Sequence, residues 1–310
     1  KAWSRGPRCL LRAPRGFSSL AATVDLNYRI AIDGKDLPQD AELPGTGALP
    51  LMVMHGLLGS APNLRAFTLN TKISGGRPVV RCDLRNHGAS GHSDVMTTEA
   101  MSADLVRLMD KLGINSAIIL GHSLGGRVAM YTALENPSRV ASVVVSDIAP
   151  VQYYEPPATD RSSTSLSHIL TSLSELDLTH VSSRSDAMGA LEPRIPSQAI
   201  RGFALMNLEP VPGTDGKQWR WRCNLPVLLD SLNNWDDFNV LDGPYEGPAL
   251  FVRGSNSEYI LPNDPEHQYA LDRLFPSNQI ESIEGAGHWL HAEKPKEFVD
   301  VVAKFLEVYG

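Results

Sequence analysis

No run of 18 or more apolar residues occurs in the 310-residue chain, so a transmembrane helix is not expected. Positive charge is in short supply. Lys and Arg number 28 against 35 Asp and Glu, and the net charge of −7 argues against a nucleic-acid-binding surface. Cysteine is scarce: Cys9, Cys82 and Cys223 are odd in number and far apart, so neither a metal pair nor a disulfide framework is expected. No N-x-S/T sequon occurs, which argues against secretion. No H-E-x-x-H, dinucleotide or P-loop pattern occurs, so no metal or cofactor is expected. The 42% hydrophobic content is that of an ordinary globular chain, with room for one large domain or one domain with an insertion.

Acidic residues are missing from the start of the chain. Lys1, Arg5, Arg8, Arg12 and Arg15 precede the first acid, Asp25, with Ser4, Ser18 and Ser19 interleaved. That composition reads as a mitochondrial leader over residues 1–22, with a matrix destination. A secretory signal needs an unbroken apolar core, which Arg12 and Arg15 interrupt. The competing reading is a plain basic tail. Either way the segment stands apart from the fold.

From there on, short apolar runs alternate with helical patterns. Strands are expected at 26–32, 49–54, 78–82, 116–120, 141–146, 249–252 and 279–283. Helices are expected at 62–73, 98–112, 124–135, 265–275 and 295–309, and the 33–50 stretch reads as an open connection. Continuous apolar strands separated by helices indicate an α/β fold, a mostly parallel sheet with helices on both faces. Residues 151–245 break the alternation and read as helices at 163–176, 186–191, 197–208 and 225–235. A stretch this long is expected to be an inserted helical cap over the C-terminal edge of the sheet, leaving 23–150 and 246–310 as the core.

What is present is concentrated at Gly121-His122-Ser123-Leu124-Gly125. An apolar strand precedes it and a helical pattern follows. Strand, tight turn and helix with serine at the apex is the setting in which G-x-S-x-G becomes a nucleophile elbow. The helix start adds free N–H groups and positive potential, which can hold an oxyanion.

An activated serine needs a base, and the base needs an orienting acid. Of nine histidines, His288 stands after the last expected strand, on the same sheet edge as Ser123. His122 is expected to point away if Ser123 points out, and His291 to be structural. Two carboxylates compete for the acid. Asp147 ends the strand beside the elbow and is favoured. Glu258 is the runner-up, one residue beyond the Gly-x-x-Asp slot that Ser257 fills. His55-Gly56-Leu57-Leu58-Gly59 follows another strand, so the amides of Leu57 and Leu124 are the candidate oxyanion donors. Asp83 to Ser90 reads as a polar turn with a structural role. Trp219, Trp221, Trp235, Phe203 and Met206 in the cap are candidates for lining an apolar acyl pocket, or else for the cap's own core.

Together, His55-Gly56, Asp83-x-Arg85-x-His87-Gly88-x-Ser90, Gly121-x-Ser123-x-Gly125 and Gly287-His288 resemble the α/β-hydrolase superfamily, from about Tyr28 onward. Ser146-Asp147-Ile148-Ala149-Pro150 and Gly254-Ser255-Asn256-Ser257 are similar to a bacterial esterase subgroup that carries its acid on the strand after the nucleophile helix. The resemblance implies hydrolysis of carboxylic or lipid esters and supports Asp147 over Glu258. It leaves three readings to compare: a serine esterase or lipase acting on an acyl ester or lipid; a non-catalytic binding protein on the same fold; and a thioester or carbon–carbon bond hydrolase. An aspartate-nucleophile enzyme is excluded because position 123 is serine. The residues point to no protein partner.

Overall fold

The computed structural model describes residues 22–153, 165–232, 238, 241 and 243–310. But for Ala22, the leader expected at 1–22 lies outside the described residues, as does Trp235.

The chain opens with a hairpin, β1 (Tyr28–Ile32) and β2 (Lys35–Asp36). Asp33 and Gly34 turn it with φ of 48° and 75°, the left-handed pair that a two-residue type I′ turn requires. The Asp-Gly signal was present inside a stretch expected to be irregular, so β2 corrects that reading. The strand–helix alternation then runs β3 (Leu51–Met54), α1 (Arg65–Thr68), α2 (Thr71–Ser74), β4 (Val79–Cys82), α3 (Thr98–Lys111), β5 (Ala117–His122), α4 (Leu124–Glu135) and β6 (Val140–Ser146). The single helix expected at 62–73 is broken. Asn70 is a local N-cap whose side chain accepts the Lys72 N–H at 3.0 Å, so a new helix starts mid-segment.

Between β6 and the next sheet strand lie α5 (Leu166–Ser174), α6 (Arg184–Leu191), α7 (Gln198–Ala204), the hairpin β7 (Leu208–Pro210) and β8 (Trp219–Trp221), and α8 (Leu225–Ser231). The hairpin was not expected in an all-helical segment. Its strands are three residues each and only partly buried, so they leave no apolar run. The chain closes with β9 (Ala249–Gly254), α9 (Pro265–Leu274), β10 (Asn278–Ile283), α10 (Leu290–Glu293) and α11 (Pro295–Tyr309).

The eight-stranded sheet has the order β10-β9-β6-β5-β3-β4-β1-β2. Six neighbouring strands, from β10 to β4, pair in parallel, and β1 pairs antiparallel with both β4 and β2. Alternate strand residues feed two cores. Met52, Met54, Ile119, Val143 and Val145 face the side packed by α3 and α4. Leu51, Val53, Ile118, Leu120 and Val144 face the side packed by α11. Both faces are therefore dry, and the parallel strand ends are left as the place where polar side chains can gather. Among the described residues no helix is long and apolar enough to cross a membrane.

Candidate active site

Ser123 occupies the one-residue turn between β5 and α4, with φ 52° and ψ −114°. A non-glycine residue there stores about 1–3 kcal/mol of backbone strain. The surroundings hold it in place. The Ser123 N–H donates to the Ser146 carbonyl at 2.9 Å, and the Arg127 N–H donates to the Ser123 carbonyl at 3.0 Å. The flanking glycines are needed for contact. A Cβ on Gly121 would sit 2.0 Å from the Gly125 carbonyl oxygen, and one on Gly125 would sit 2.7 Å from that of His55. The Gly125 N–H donates to the His55 carbonyl at 3.1 Å, joining the elbow to the loop after β3.

Asp147 follows β6, fully buried and with φ 56°. Three donors converge on its carboxylate. His288 Nδ1 lies 2.8 Å from Oδ2, the Gly254 N–H donates to Oδ1 at 3.0 Å, and the Ser257 hydroxyl also donates to Oδ2. Since a carboxylate only accepts, Nδ1 carries the ring proton and Nε2 is left as the basic nitrogen. The ring of Tyr259 stacks on His288 at 4.1 Å between centroids. Glu258 is exposed, and the carboxylate at His288 is that of Asp147. Ser257, which fills the Gly-x-x-Asp slot after β9, thus hydrogen-bonds to Asp147.

Ser123 lies on the walls of two adjoining cavities. The first is also lined by His288, Leu57, Leu166, Ile200, Phe203 and Trp289. The second is lined by Leu57, Leu124, Ile148, Tyr153, Leu232 and Tyr259. Leu57 and Leu124, the two expected oxyanion residues, therefore border the serine. Leu124 is the first residue of α4, where N–H groups have no intrahelical acceptor.

Two buried histidines hold the Leu57 loop. His87 Nε2 accepts the Leu58 N–H at 3.1 Å while its Nδ1–H donates to the Arg85 carbonyl at 2.9 Å. His55 Nε2 accepts the Leu84 N–H at 3.0 Å and its Nδ1–H donates to the Gly56 carbonyl at 2.8 Å. Each ring must be neutral to accept. Burial agrees, lowering the His55 pKa and pushing His87 down to about 3, with His55 adding to the effect on His87. Arg85, paired with Asp104 at 2.6 Å inside the core, ties the Asp83–Ser90 loop, which carries His87, to α3. The Asp83–Ser90 loop thus supports the site through its fold, as a polar turn.

The cap candidates divide. Phe203 lines the first cavity. Trp219 and Trp221 do not line either cavity; they lie on β8, partly buried against the core. Met206 is 41% exposed, with its sulfur 3.4 Å from Asn63 Nδ2. The physical reason is the unexpected hairpin, whose antiparallel register carries both tryptophans away on a separate strand. Sequence reading missed Leu166, Ile200 and Trp289 as lining residues. It also set His122 and His291 aside, yet both line the first cavity. The only signal available for them was their spacing around Ser123 and His288.

Residues 50–295 match the family model described as the alpha/beta hydrolase fold. The chain is 37% identical over 288 residues to the sn-1-specific diacylglycerol lipase ABHD11 of Xenopus tropicalis, covering 92% of this chain and 82% of that protein. It is 32% identical to Escherichia coli esterase YbfF over 262 residues, covering 83% of this chain and 92% of the esterase. A solved marine microorganism esterase superimposes with a TM-score of 0.79 at 29% identity, covering 91% of this chain and all of the other. The sheet order, the elbow and these matches agree: the chain belongs to the α/β-hydrolase fold family.

Proposed function

We propose that the chain is a serine hydrolase of carboxylic esters, with Ser123 as nucleophile, His288 as base and Asp147 as the orienting acid. The observation that carries this reading is the 2.8 Å contact between buried Asp147 Oδ2 and Nδ1 of His288, which lines a cavity together with Ser123. His288 Nε2 takes the Ser123 hydroxyl proton as Oγ attacks the acyl carbonyl. The N–H groups of Leu57 and Leu124 stabilise the oxyanion. His288 then protonates the departing alcohol, and a water activated by the same nitrogen releases the acid.

The substrate class is an apolar acyl ester or lipid. Leu166, Ile169, Ile200, Phe203 and Ala204, from α5 and α7, supply an apolar wall facing Ser123. The described residues between 151 and 245 act as a cap over the sheet edge, and these helices give it its substrate-facing side. Relatives named diacylglycerol lipase and esterase support the same class.

A mitochondrial address is part of the proposal. It rests on the five basic residues and absent acids ahead of Asp25. The test of the activity is turnover of p-nitrophenyl esters together with fluorophosphonate labelling. Loss of both in Ser123→Ala supports the reading, and a chain that neither labels nor turns over any ester of the panel contradicts it.

A further inference from the structure

The base of the proposed mechanism sits on a segment with no regular secondary structure. Residues 284–289 connect β10 to α10 and belong to neither ladder nor helix. Regular secondary structure therefore does not fix where His288 stands relative to Ser123. The Ala286 N–H donates to the nearby Ile283 carbonyl at 3.3 Å, and several other peptide groups of this loop are taken up by partners outside it.

The Gly285 N–H donates to Ser255 Oγ at 2.8 Å. The Ala286 carbonyl accepts the Asn256 N–H at 2.9 Å. His122 Nε2 lies 2.8 Å from the His288 carbonyl oxygen. A carbonyl only accepts, so this nitrogen carries the proton and His122 is the donor. Burial lowers the His122 pKa well below its ordinary value, so the ring is neutral and keeps this single tautomer. On either side of His288, one carboxylate takes two amides. Glu293 Oε2 accepts the Gly287 N–H at 2.6 Å, and Oε1 accepts the Trp289 N–H at 3.2 Å. The Glu293 N–H itself donates to the Trp289 carbonyl at 2.9 Å, closing a ring around the base.

We infer that Glu293 and His122 are positioning residues, which clamp the peptide groups around His288 and set the imidazole on Ser123. This inference rests on the assignment of Ser123 and His288 proposed above. The division of labour follows from placement. His122 precedes the nucleophile, so its bond to the His288 carbonyl ties base to elbow directly. Glu293 belongs to α10 and takes the amides on either side through charge-assisted bonds, which are stronger than neutral ones. Asp147 fixes the ring's tautomer and tilt. It acts on the side chain, and the clamp acts on the backbone beneath it.

Glu293 is exposed, so its replacement leaves the core untouched and suits a functional test. A misplacement of about 1 Å in such a group is worth on the order of 10²-fold in rate. Glu293→Ala is expected to lower kcat by roughly 10- to 100-fold, with KM within about twofold and the thermal midpoint nearly unchanged. Glu293→Gln keeps one acceptor oxygen and is expected to fall between Ala and the parent. His122→Leu, which is close to histidine in volume but has no donor, is expected to lower kcat similarly. In a His288→Ala background, Glu293→Ala is expected to leave the residual turnover unchanged, because there is no base left to position.

Fluorophosphonate labelling of the parent at Ser123 is measured in parallel. A parent that does not label overturns the underlying assignment and this inference with it. A parent that labels, with Glu293→Ala at full kcat, overturns the clamp alone. So does a loss of kcat accompanied by a fall in the thermal midpoint, or an equal fractional loss in the His288→Ala background.

Discussion

Asp147 Oδ2 stands 2.8 Å from His288 Nδ1, although the two residues are separated by 141 positions and come from different strand ends. Asp147 follows β6 and His288 follows β10, with β9 lying between these strands in the sheet. The contact spans that strand because Asp147 turns with φ 56°, and its Oδ1 accepts the N–H of Gly254, the last residue of β9. A carboxylate held by three donors is a well-anchored support for an imidazole.

Asp147→Asn is expected to lower kcat by about 10⁴, because an amide nitrogen facing Nδ1 favours the tautomer that cannot accept the serine proton. Glu258→Gln, at an exposed position, is expected to change kcat by less than about twofold. Steady-state kinetics on the two purified variants decides the matter, and the reverse ranking would move the acid to Glu258.

Acyl-chain preference is expected to follow the wall at Phe203. Each buried methylene is worth about 0.8 kcal/mol, so kcat/KM should climb with chain length until the cavity is full. Phe203→Ala should shift the optimum to longer or bulkier chains, while Trp219→Ala and Trp221→Ala leave it in place. The check is a p-nitrophenyl ester series, and an optimum that moves with the tryptophans but not with Phe203 would overturn the assignment.

Acid should destabilise the fold through its buried histidines. His87 has a folded pKa pushed down to about 3 by burial, against an ordinary value of 6.5. Between those values the unfolded chain holds the proton and the folded one does not. Stability therefore falls as pH drops from 6.5 towards 3, by up to about 1.4 kcal/mol per pH unit for one such group. Denaturant midpoints from pH 7 to 4 should slope downward, and His87→Gln should flatten the slope by about one proton. An unchanged slope would show that His87 is protonated in the native state.

A reporter carrying residues 1–22 at its N-terminus is expected to enter mitochondria and to be shortened there. Imaging and immunoblotting of the fusion check this. A reporter that stays cytosolic at full length contradicts the address.

The sheet and the elbow were legible because their signals are local. Short apolar or alternating runs marked all but β2 of the sheet strands, and the glycines at 121 and 125 marked the turn where β5 meets α4. The pairing of Asp147 with His288 was legible only as a choice between two carboxylates. The hydrogen bond that distinguishes them depends on strand order and on one residue's φ, neither of which is a pattern along the chain. β7 and β8 were hidden because three-residue, half-buried strands carry no apolar run, and with them went the placement of Trp219 and Trp221. The roles of His122 and Glu293 were hidden for another reason. Each acts on the backbone of a loop, and no side-chain pattern records which peptide group a distant ring or carboxylate will meet.

The central claim is that Ser123 is the nucleophile, and the most direct measurement is active-site labelling read by mass spectrometry. The parent chain is incubated with a fluorophosphonate, digested, and the modified residue identified. The account predicts a single adduct on the peptide containing Ser123, no adduct in Ser123→Ala at an unchanged thermal midpoint, and a loss of ester turnover of several orders of magnitude in that variant. An adduct on another residue, or ester turnover that survives in folded Ser123→Ala, would contradict it.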